Sequence, residues 1–261
     1  MKRPQIRRRT PAELDKARHA ARLAAEVLRW IGQHVKPGVS TAELDRLCHR
    51  YIVDELKVIP ANLGYSGFPA TICASPNQVV CHGIPNEQPL AEGDILNIDV
   101  AVNAGGWFGD TARMYCVGKP SEPARRLVLA TYEAMWAGIR AVRPGATLGD
   151  VGHAIESVAR REGFGVVREY CGHGIGDVYH DAPEVLHYGK PGHGLRLEPG
   201  MLFTIEPMLN AGRGECRVLA DGWTVVSRDG SLSAQWEHMV AVTDSGFEVL
   251  SLWPQGGEPD C

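Results

Sequence analysis

Residues 90–112 read LAEGDILNIDVAVNAGGWFGDTA, and the folding of this stretch decides how the rest of the chain is read. An apolar run over 95–102 is interrupted by a single carboxylate, Asp99. The break Asn103-Ala104-Gly105-Gly106 is polar and glycine-rich, after which Trp107-Phe108-Gly109-Asp110 resumes the earlier pattern. Two β-prone runs around a short glycine-containing break predict a hairpin. A turn centred on Ala104-Gly105 sets Asp99 directly opposite Asp110, with Cβ atoms about 5 Å apart. Two like charges so placed among apolar neighbours repel and are costly to desolvate, so they share a proton or hold a cation between them. We take the cation as the expectation.

The chain then repeats itself. Val35-Lys36-Pro37-Gly38-Val39-Ser40 matches Val142-Arg143-Pro144-Gly145-Ala146-Thr147 at an offset of 107 residues. At the same offset Leu90-Ala91-Glu92-Gly93 falls on Leu197-Glu198-Pro199-Gly200, and Asn97-Ile98-Asp99 on Thr204-Ile205-Glu206. Each half also carries His-Gly-Ile, at His82 and at His173, where the offset slips to 91. A constant offset across distant landmarks predicts two α+β halves, about 10–116 and 117–252, related by a pseudo-twofold. Each half offers a carboxylate from an equivalent strand to the shared seam, and helices cover one face of the joined sheet.

The local signals fit this plan. Thr10-Pro11-Ala12-Glu13 is a capping box opening a helix to about Val35, and Ser40 with Glu43 opens a second to about Leu56. Ser121-Glu122-Pro123 starts a third helix, ended by Arg143-Pro144-Gly145, and Thr147 with Asp150 caps a fourth to about Gly163. Residues 70–73, 78–82, 166–171 and 201–207 read as strand-like, with a glycine-rich stretch at 172–176 and a loop from there to Gly194. Residues 222–242 read as another hairpin turning at Asp229-Gly230. The tail from residue 253 has little to fold around, and its expectation is flexibility.

Bulk properties exclude several classes. A chain of 261 residues with a net charge of −4 gives no global signal for nucleic acid or anionic membrane. No apolar stretch is long enough to span a bilayer, and the N-terminus lacks the apolar core of an export signal, so a cytoplasmic protein is expected. The seven cysteines are scattered and never spaced as C-x-x-C, which opposes a disulfide framework or a thiolate zinc site. Residues 1–9 carry Lys2, Arg3, Arg7, Arg8 and Arg9, a basic N-terminal tail that is either solvated or touches RNA or another polyanion.

The second half supplies partners for Asp99 and Asp110. Glu206 and Glu237 are acids in β-like runs, and His173, flanked by glycines, can add an imidazole. Together Asp99, Asp110, His173, Glu206 and Glu237 bring four negative charges and one neutral nitrogen, which two divalent cations balance. Oxygen-dominated coordination with one imidazole favours Mn²⁺- or Fe²⁺-like ions, with Co²⁺ or Zn²⁺ able to substitute. Two such ions some 3.5–4 Å apart can hold a hydroxide at neutral pH and polarise a carbonyl, which is the equipment of a hydrolase.

At these residues the chain resembles the type I methionine aminopeptidases, of the creatinase-like pita-bread fold. The resemblance runs from about Thr10 to Leu252. It rests on Val80-Cys81-His82-Gly83-Ile84-Pro85, Asn97-Ile98-Asp99-Val100, Gly109-Asp110-Thr111, Tyr170-Cys171-Gly172-His173-Gly174-Ile175-Gly176, Phe203-Thr204-Ile205-Glu206-Pro207-Met208 and Ser233-Ala234-Gln235-Trp236-Glu237-His238. It implies a single catalytic domain over 10–252 that removes the initiator methionine from nascent polypeptides when the second residue is small. It implies that Asp110 and Glu237 bridge two ions, that His173 and Glu206 complete one, and that Asp99 binds the other. His82 then hydrogen-bonds the scissile amide, His180 stabilises the oxyanion and Glu206 shuttles the proton. Read without the resemblance, a lone histidine in a loop is structural.

The same resemblance places Tyr65, Phe68, Cys73, Tyr179 and Trp223 around the methionine side chain, and a monovalent cation near Ser75, Asn77, Val79 and Ser233. The chain departs from the commoner pattern at Phe68, where tyrosine is frequent, and at Asn62, where a cysteine often stands. There is no room before Thr10 for the extra domain of prolidase-like relatives, and the interval from His180 to Glu206 is too short for the helical insertion of type II enzymes. Nascent polypeptide N-termini are the implied partners, with the ribosome a further one through residues 1–9, and nothing demands more than a monomer. The alternatives are a binding module of the same fold that has lost its metals, and a peptidase of Xaa-Pro specificity.

Overall fold

The computed structural model describes residues 6–253; expectations for residues 1–5 and 254–261 lie outside the described residues. Helix α1 (Pro11–Gly32) begins at the expected capping box: Thr10 accepts from the Glu13 amide, and the Glu13 carboxylate accepts from the Thr10 amide. Its buried face is alanine-rich, with Ala17, Ala20, Ala21 and Ala24 ahead of Leu28 and Ile31. Small side chains let the helix axis lie close to the sheet beneath. Helix α2 (Thr41–Arg50) is capped by Ser40 and runs on as a π turn, Tyr51–Glu55, so the stretch to Leu56 is not one α-helix. Helices α3 (Glu122–Ala141) and α4 (Leu148–Glu162) start at Ser121 and Thr147, and α4 stops at Gly163 in the left-handed region, as the sequence implied.

In the first half the strands are β1 (Ile59–Pro60), β2 (Cys73–Pro76), β3 (Val79–Cys81), β4 (Ile95–Ala104) and β5 (Trp107–Cys116). β4 and β5 form the expected hairpin, and β1 and β2 lie end to end along the other edge of β4. Its register differs from the expectation by two residues. Ala104 pairs with Trp107, so the turn is Gly105-Gly106, Asp99 faces Ala112 and Asp110 faces Ala101. Both turn residues have positive φ, 61° and 88°, which two glycines adopt without the Cβ penalty that Ala104 would carry. Because side chains alternate with period 2, a two-residue slip keeps both aspartates on one face, as diagonal rather than direct neighbours.

The second half adds β6 (Gly165–Val166), β7 (Gly172–Gly174), β8 (Asp181–Val185), β9 (Leu202–Ile205), β10 (Met208–Asn210), β11 (Cys216–Val218), β12 (Val225–Ser227), β13 (Ser233–Gln235), β14 (His238–Val242) and β15 (Phe247–Val249). A five-stranded sheet runs β15-β14-β9-β7-β8, and two smaller sheets run β13-β10-β6 and β11-β12-β3. Four expectations here need correction. The strand at 166–171 is limited to Gly165–Val166, the glycine-rich stretch supplies β7, and β8 lies where a loop was expected. The turn at Asp229-Gly230 forms, with the Gly230 amide donating to Ser227, but its flanks do not pair with each other. The Asn77-Gln78 turn enters between them: Ser227 donates to the Gln78 carbonyl and Ser233 to the Asn77 carbonyl, so β12 and β13 belong to different sheets.

The internal repeat is visible bond by bond. Gly38 donates to Leu90 and Leu90 to Val39; 107 residues on, Gly145 donates to Leu197 and Leu197 to Ala146. Val117 donates to Asp94, and its counterpart Val242 to Met201. One core spans both halves, joining Leu28, Ile98 and Val100 to Ile139, Ile155, Ile205 and Trp236. α1 packs on β4 and β5, and α3 on β9, β10 and β13. The basic segment is not a free tail at its inner end, where the Arg9 side chain is buried against Asp177. Cys48, Cys73, Cys81, Cys171 and Cys216 are free thiols, whereas Cys116 is disulfide-bonded.

Candidate metal centre

The seam between the halves is closed by main-chain and side-chain bonds around Glu237. Its amide donates to the Ala112 carbonyl, its own carbonyl accepts from the Thr111 hydroxyl at 2.7 Å, and Asn97 donates to the neighbouring Gln235 carbonyl at 2.9 Å. These bonds hold the carboxylate of the second half over the face of β4 and β5 that carries Asp99 and Asp110. His173 comes in on β7, and Glu206 directly follows β9.

One donor atom each from Asp110, His173 and Glu237 lies within 4.8 Å of the others. His173 Nε2 stands 3.5 Å from Asp110 Oδ2 and 3.7 Å from Glu206 Oε1. Its Nδ1 is 3.1 Å from the Gly174 carbonyl, which can only accept, so Nδ1 carries the proton and the Nε2 lone pair faces the acids. Burial pulls the imidazole down to about 4, so it is neutral at physiological pH. Glu206 is held by three contacts: Thr204 Oγ1 donates to Oε1 at 2.8 Å, Gln235 Nε2 donates to Oε2 at 3.3 Å, and its amide donates to His187 Nε2. The Thr204 hydroxyl in turn accepts from the His173 amide at 2.9 Å, which ties the two donors together.

Electrostatically the arrangement is unfinished without cations. Burial, and then the charge of Asp110, pushes Asp99, Glu206 and Glu237 well above the usual carboxylate range. Burial raises Asp110 to about 7. Asp99 Oδ1 and Asp110 Oδ1 are buried with no hydrogen-bond partner. Unpartnered buried carboxylate oxygens, in a cluster where a neutral imidazole also turns its free nitrogen toward the acids, are what a divalent cation satisfies, so these residues fit the metal that the sequence implied.

The centre opens into a cavity of about 350 Å³. The twelve residues given roles at the metals, in the chemistry or around the methionine side chain all border it: the polar His82, Asp99, Asp110, His173, His180, Glu206 and Glu237, and with them Tyr65, Phe68, Cys73, Tyr179 and Trp223. Phe68 and Trp223 meet edge to face at 5.2 Å, and Phe108 stacks on Tyr179 from behind. His180 lies among rings, 4.1 Å from His173, 4.2 Å from Tyr179 and 4.9 Å from Tyr65. Burial pulls it down to about 3, and it also lowers His82. His82 adopts φ of +53°, costly for a residue with a Cβ. The following Gly83 lies against Ala74 so closely that a Cβ there would stand 2.1 Å from the Ala74 carbonyl oxygen.

Six further residues line the cavity: Asn62, Ser66, Glu169, Tyr170, Cys171 and Met208. Tyr170, Cys171 and Met208 lie inside the quoted motifs without having been given a role. Asn62, noted only as a departure, accepts a hydrogen bond from the Tyr179 hydroxyl at 2.5 Å. Around the expected monovalent site, Asn77 Oδ1 accepts from the Ile95 amide and its Nδ2 donates to Asp94, while Val79 lies on β3.

Two repeated α+β halves with acids and one imidazole at their seam define a divalent-metal hydrolase of the pita-bread class. The chain belongs to metallopeptidase family M24, whose model matches residues 15–244. It is 53% identical over 251 residues to a methionine aminopeptidase of Rickettsia prowazekii, covering 96% of each chain. It is 53% identical over 245 residues to one from Escherichia coli K12, covering 94% of this chain and 93% of that one. The crystal structure of the Rickettsia protein superposes with a TM-score of 0.94 over 95% of this chain and 100% of that one. An Xaa-Pro dipeptidase from Bacillus anthracis, 23% identical with a TM-score of 0.75, shares the fold; the match covers 95% of this chain and 62% of that one. As a metallopeptidase of this family the chain is a hydrolase that binds divalent metal.

Proposed function

We propose that the chain removes the N-terminal methionine of nascent polypeptides whose second residue is small. The observation that carries this reading is one cavity lined both by the four acids and the imidazole of the seam and by the apolar or sulfur-bearing side chains Phe68, Cys73, Tyr179 and Trp223, which suit a thioether. The relatives at 53% identity over nearly the whole chain support the same reading.

In this reading Asp99, Asp110, His173, Glu206 and Glu237 hold two divalent ions of the Mn, Fe, Co or Zn type. Bound there, the ions supply Lewis-acid polarisation of the scissile carbonyl and a nucleophile at neutral pH. The protein's side chains do the rest. The apolar walls seat the methionine thioether and exclude water, which orients the scissile amide toward the acids. His180, neutral because it is buried, donates an N–H to the carbonyl oxygen as charge develops there. Glu206 carries the proton on its carboxylate to the departing nitrogen; Thr204 and Gln235 keep its two oxygens in place. His82, between Tyr170 and Trp223, meets the scissile amide and limits the second side chain to a small one.

The proposal includes a cytoplasmic monomer acting on nascent chains, with a monovalent cation at the Asn77, Val79 and Ser233 junction. A ribosome contact through residues 1–9 leaves Arg9 out, since its guanidinium is buried. A panel of Met-Ala, Met-Leu, Met-Pro and Ala-Pro peptides assayed with Mn²⁺, Fe²⁺ or Co²⁺ tests the specificity. Rapid cleavage of Met-Ala, weak cleavage of Met-Leu and silence after chelation are expected. Preference for Ala-Pro, or activity indifferent to metal removal, overturns the reading.

A further inference from the structure

His180 stands in a short segment, 175–181, whose shape decides where its ring points. Its neighbours in the cavity are other rings, so the backbone of this segment sets its position. From the inside the segment is held by the Phe108 amide, which donates to the Gly176 carbonyl at 2.8 Å. From the outside it is held by the arginines that precede α1. The Arg9 side chain is only 4% exposed; its Nη1 lies 2.7 Å from Asp177 Oδ1 and its Nη2 donates to the Ile175 carbonyl. The guanidinium also lies over the Trp107 ring, and the Arg9 amide donates to the Gly200 carbonyl. Arg7 Nη1 contacts both oxygens of Asp177 at 2.9 and 2.8 Å, and its Nε stands 3.9 Å from Asp181 Oδ2. Gly176 leaves room for this: a Cβ there would come within 2.6 Å of the Arg9 guanidinium.

We propose that Arg7 and Arg9 form a strap that, through Asp177 and Asp181 on either side of Tyr179-His180, positions His180 for the reaction. The strap rests on the role given to His180 above. The sequence alone made these arginines a solvated tail or a polyanion contact, whereas the fold spends the inner ones on an internal bond. A surface ion pair of this kind contributes little to stability, but Arg9 is buried, and separating it from Asp177 leaves its charge unpartnered away from water. Loosening the segment by a fraction of an ångström disturbs the oxyanion contact, where a 1 Å misplacement costs roughly 10²-fold.

The test compares parent, Asp177→Asn, Arg9→Lys, His180→Ala and the Asp177→Asn/His180→Ala double variant, each loaded with Mn²⁺, on a Met-Ala peptide with thermal melts alongside. Asp177→Asn is expected to lower kcat about 10-fold with KM within about two-fold, and Arg9→Lys to lie between it and the parent. In the His180→Ala background, Asp177→Asn should cost nothing further, because the strap acts through that ring. An Asp177→Asn variant within two-fold of the parent overturns the strap, as does an equal loss in the His180→Ala background. Should Asp177→Asn not fold, Arg9→Lys in the two backgrounds decides by the same criterion. Full activity of His180→Ala removes the assigned role of His180 and the strap with it, whereas loss there combined with normal turnover in the strap variants removes the strap alone.

Discussion

Replacing Asp110 with Asn should make the metal-free protein more stable while abolishing turnover. Asp110 is the acid whose charge most disturbs its neighbours, and its own carboxyl is raised from 3.8 to about 7 by burial. At ~1.4 kcal/mol per pH unit that shift amounts to at most ~4 kcal/mol, and relaxation and water entry at the open cavity leave roughly 2 kcal/mol. The sign follows from which state keeps the proton. Below the ordinary carboxylate range both folded and unfolded chains hold it, and Asp110 contributes nothing. As pH rises through about 4 to 7 the unfolded chain loses its proton first, so folding becomes less favourable, and above about 7 the whole penalty is present. Buried histidines away from Asp110, such as His187 and His238, act in the opposite direction, but they are common to both proteins and cancel in the difference. In chelator at pH 8 the Asn variant should therefore melt ~4–8 °C above the parent, a gap that closes by pH 4. Divalent metal at a hundred times its Kd adds ~2.7 kcal/mol to the parent, and much less to a variant missing a donor, so the order of melting reverses. Melts of both proteins across pH, with and without Mn²⁺, measure this directly. A variant that melts below the parent in chelator at pH 8, or equal stabilisation of both by metal, refutes the idea that these acids oppose one another until a cation joins them.

Gly109→Ala should destabilise the fold by ~1–3 kcal/mol or more, read by urea or thermal unfolding, because the added methyl would sit 2.1 Å from the Ala20 carbonyl oxygen of α1. An unchanged melt would mean that α1 does not lie on β5 at this point. Trp223→Ala, which removes one wall of the apolar pocket beside Phe68, should raise KM for a Met-Ala peptide about 10-fold and leave kcat within a few-fold. A fall in kcat alone would move Trp223 from the pocket to the chemistry around His82.

What could be read from residues alone divides along physical lines. Helix starts were legible because a capping box is chemistry confined to four residues, and Thr10 and Thr147 each make both of its bonds. The meeting of the acids was legible because an acid inside an apolar strand needs a partner, and the repeat supplied the second one. The hairpin register was not, since the choice between Ala104-Gly105 and Gly105-Gly106 turns on two positive φ angles rather than on hydrophobic pattern. Asp181-Ala182-Pro183-Glu184-Val185 reads as loop, being polar and proline-containing; it is a strand because it forms the outer edge beside β7, where proline is tolerated. The separation of β12 from β13 is a long-range event, made by Asn77-Gln78 entering from about 150 residues away. His82 and His180 became legible only by resemblance, because neither has an apolar pattern around it to mark it as misplaced.

The duplication explains why the acids gather at the seam. Each half, taken alone, points acids at a surface it cannot cover: Asp99 and Asp110 on one, Glu206 and Glu237 on the other. The bonds from Thr111, Ala112 and Asn97 to the backbone of Gln235 and Glu237 force these surfaces together, and close packing of the shared core leaves the acids only the cavity as a route to water. Four acids in one buried space gain nothing for stability, so the structure keeps them at a cost of several kcal/mol. The halves have diverged where symmetry would not serve. His173 lies on a strand with its lone pair toward the acids, while the other His-Gly-Ile puts His82 in a left-handed turn beside Tyr170 and Trp223. One imidazole thereby faces the acids and the other the far side of the cavity, a division that a strictly symmetric seam could not make.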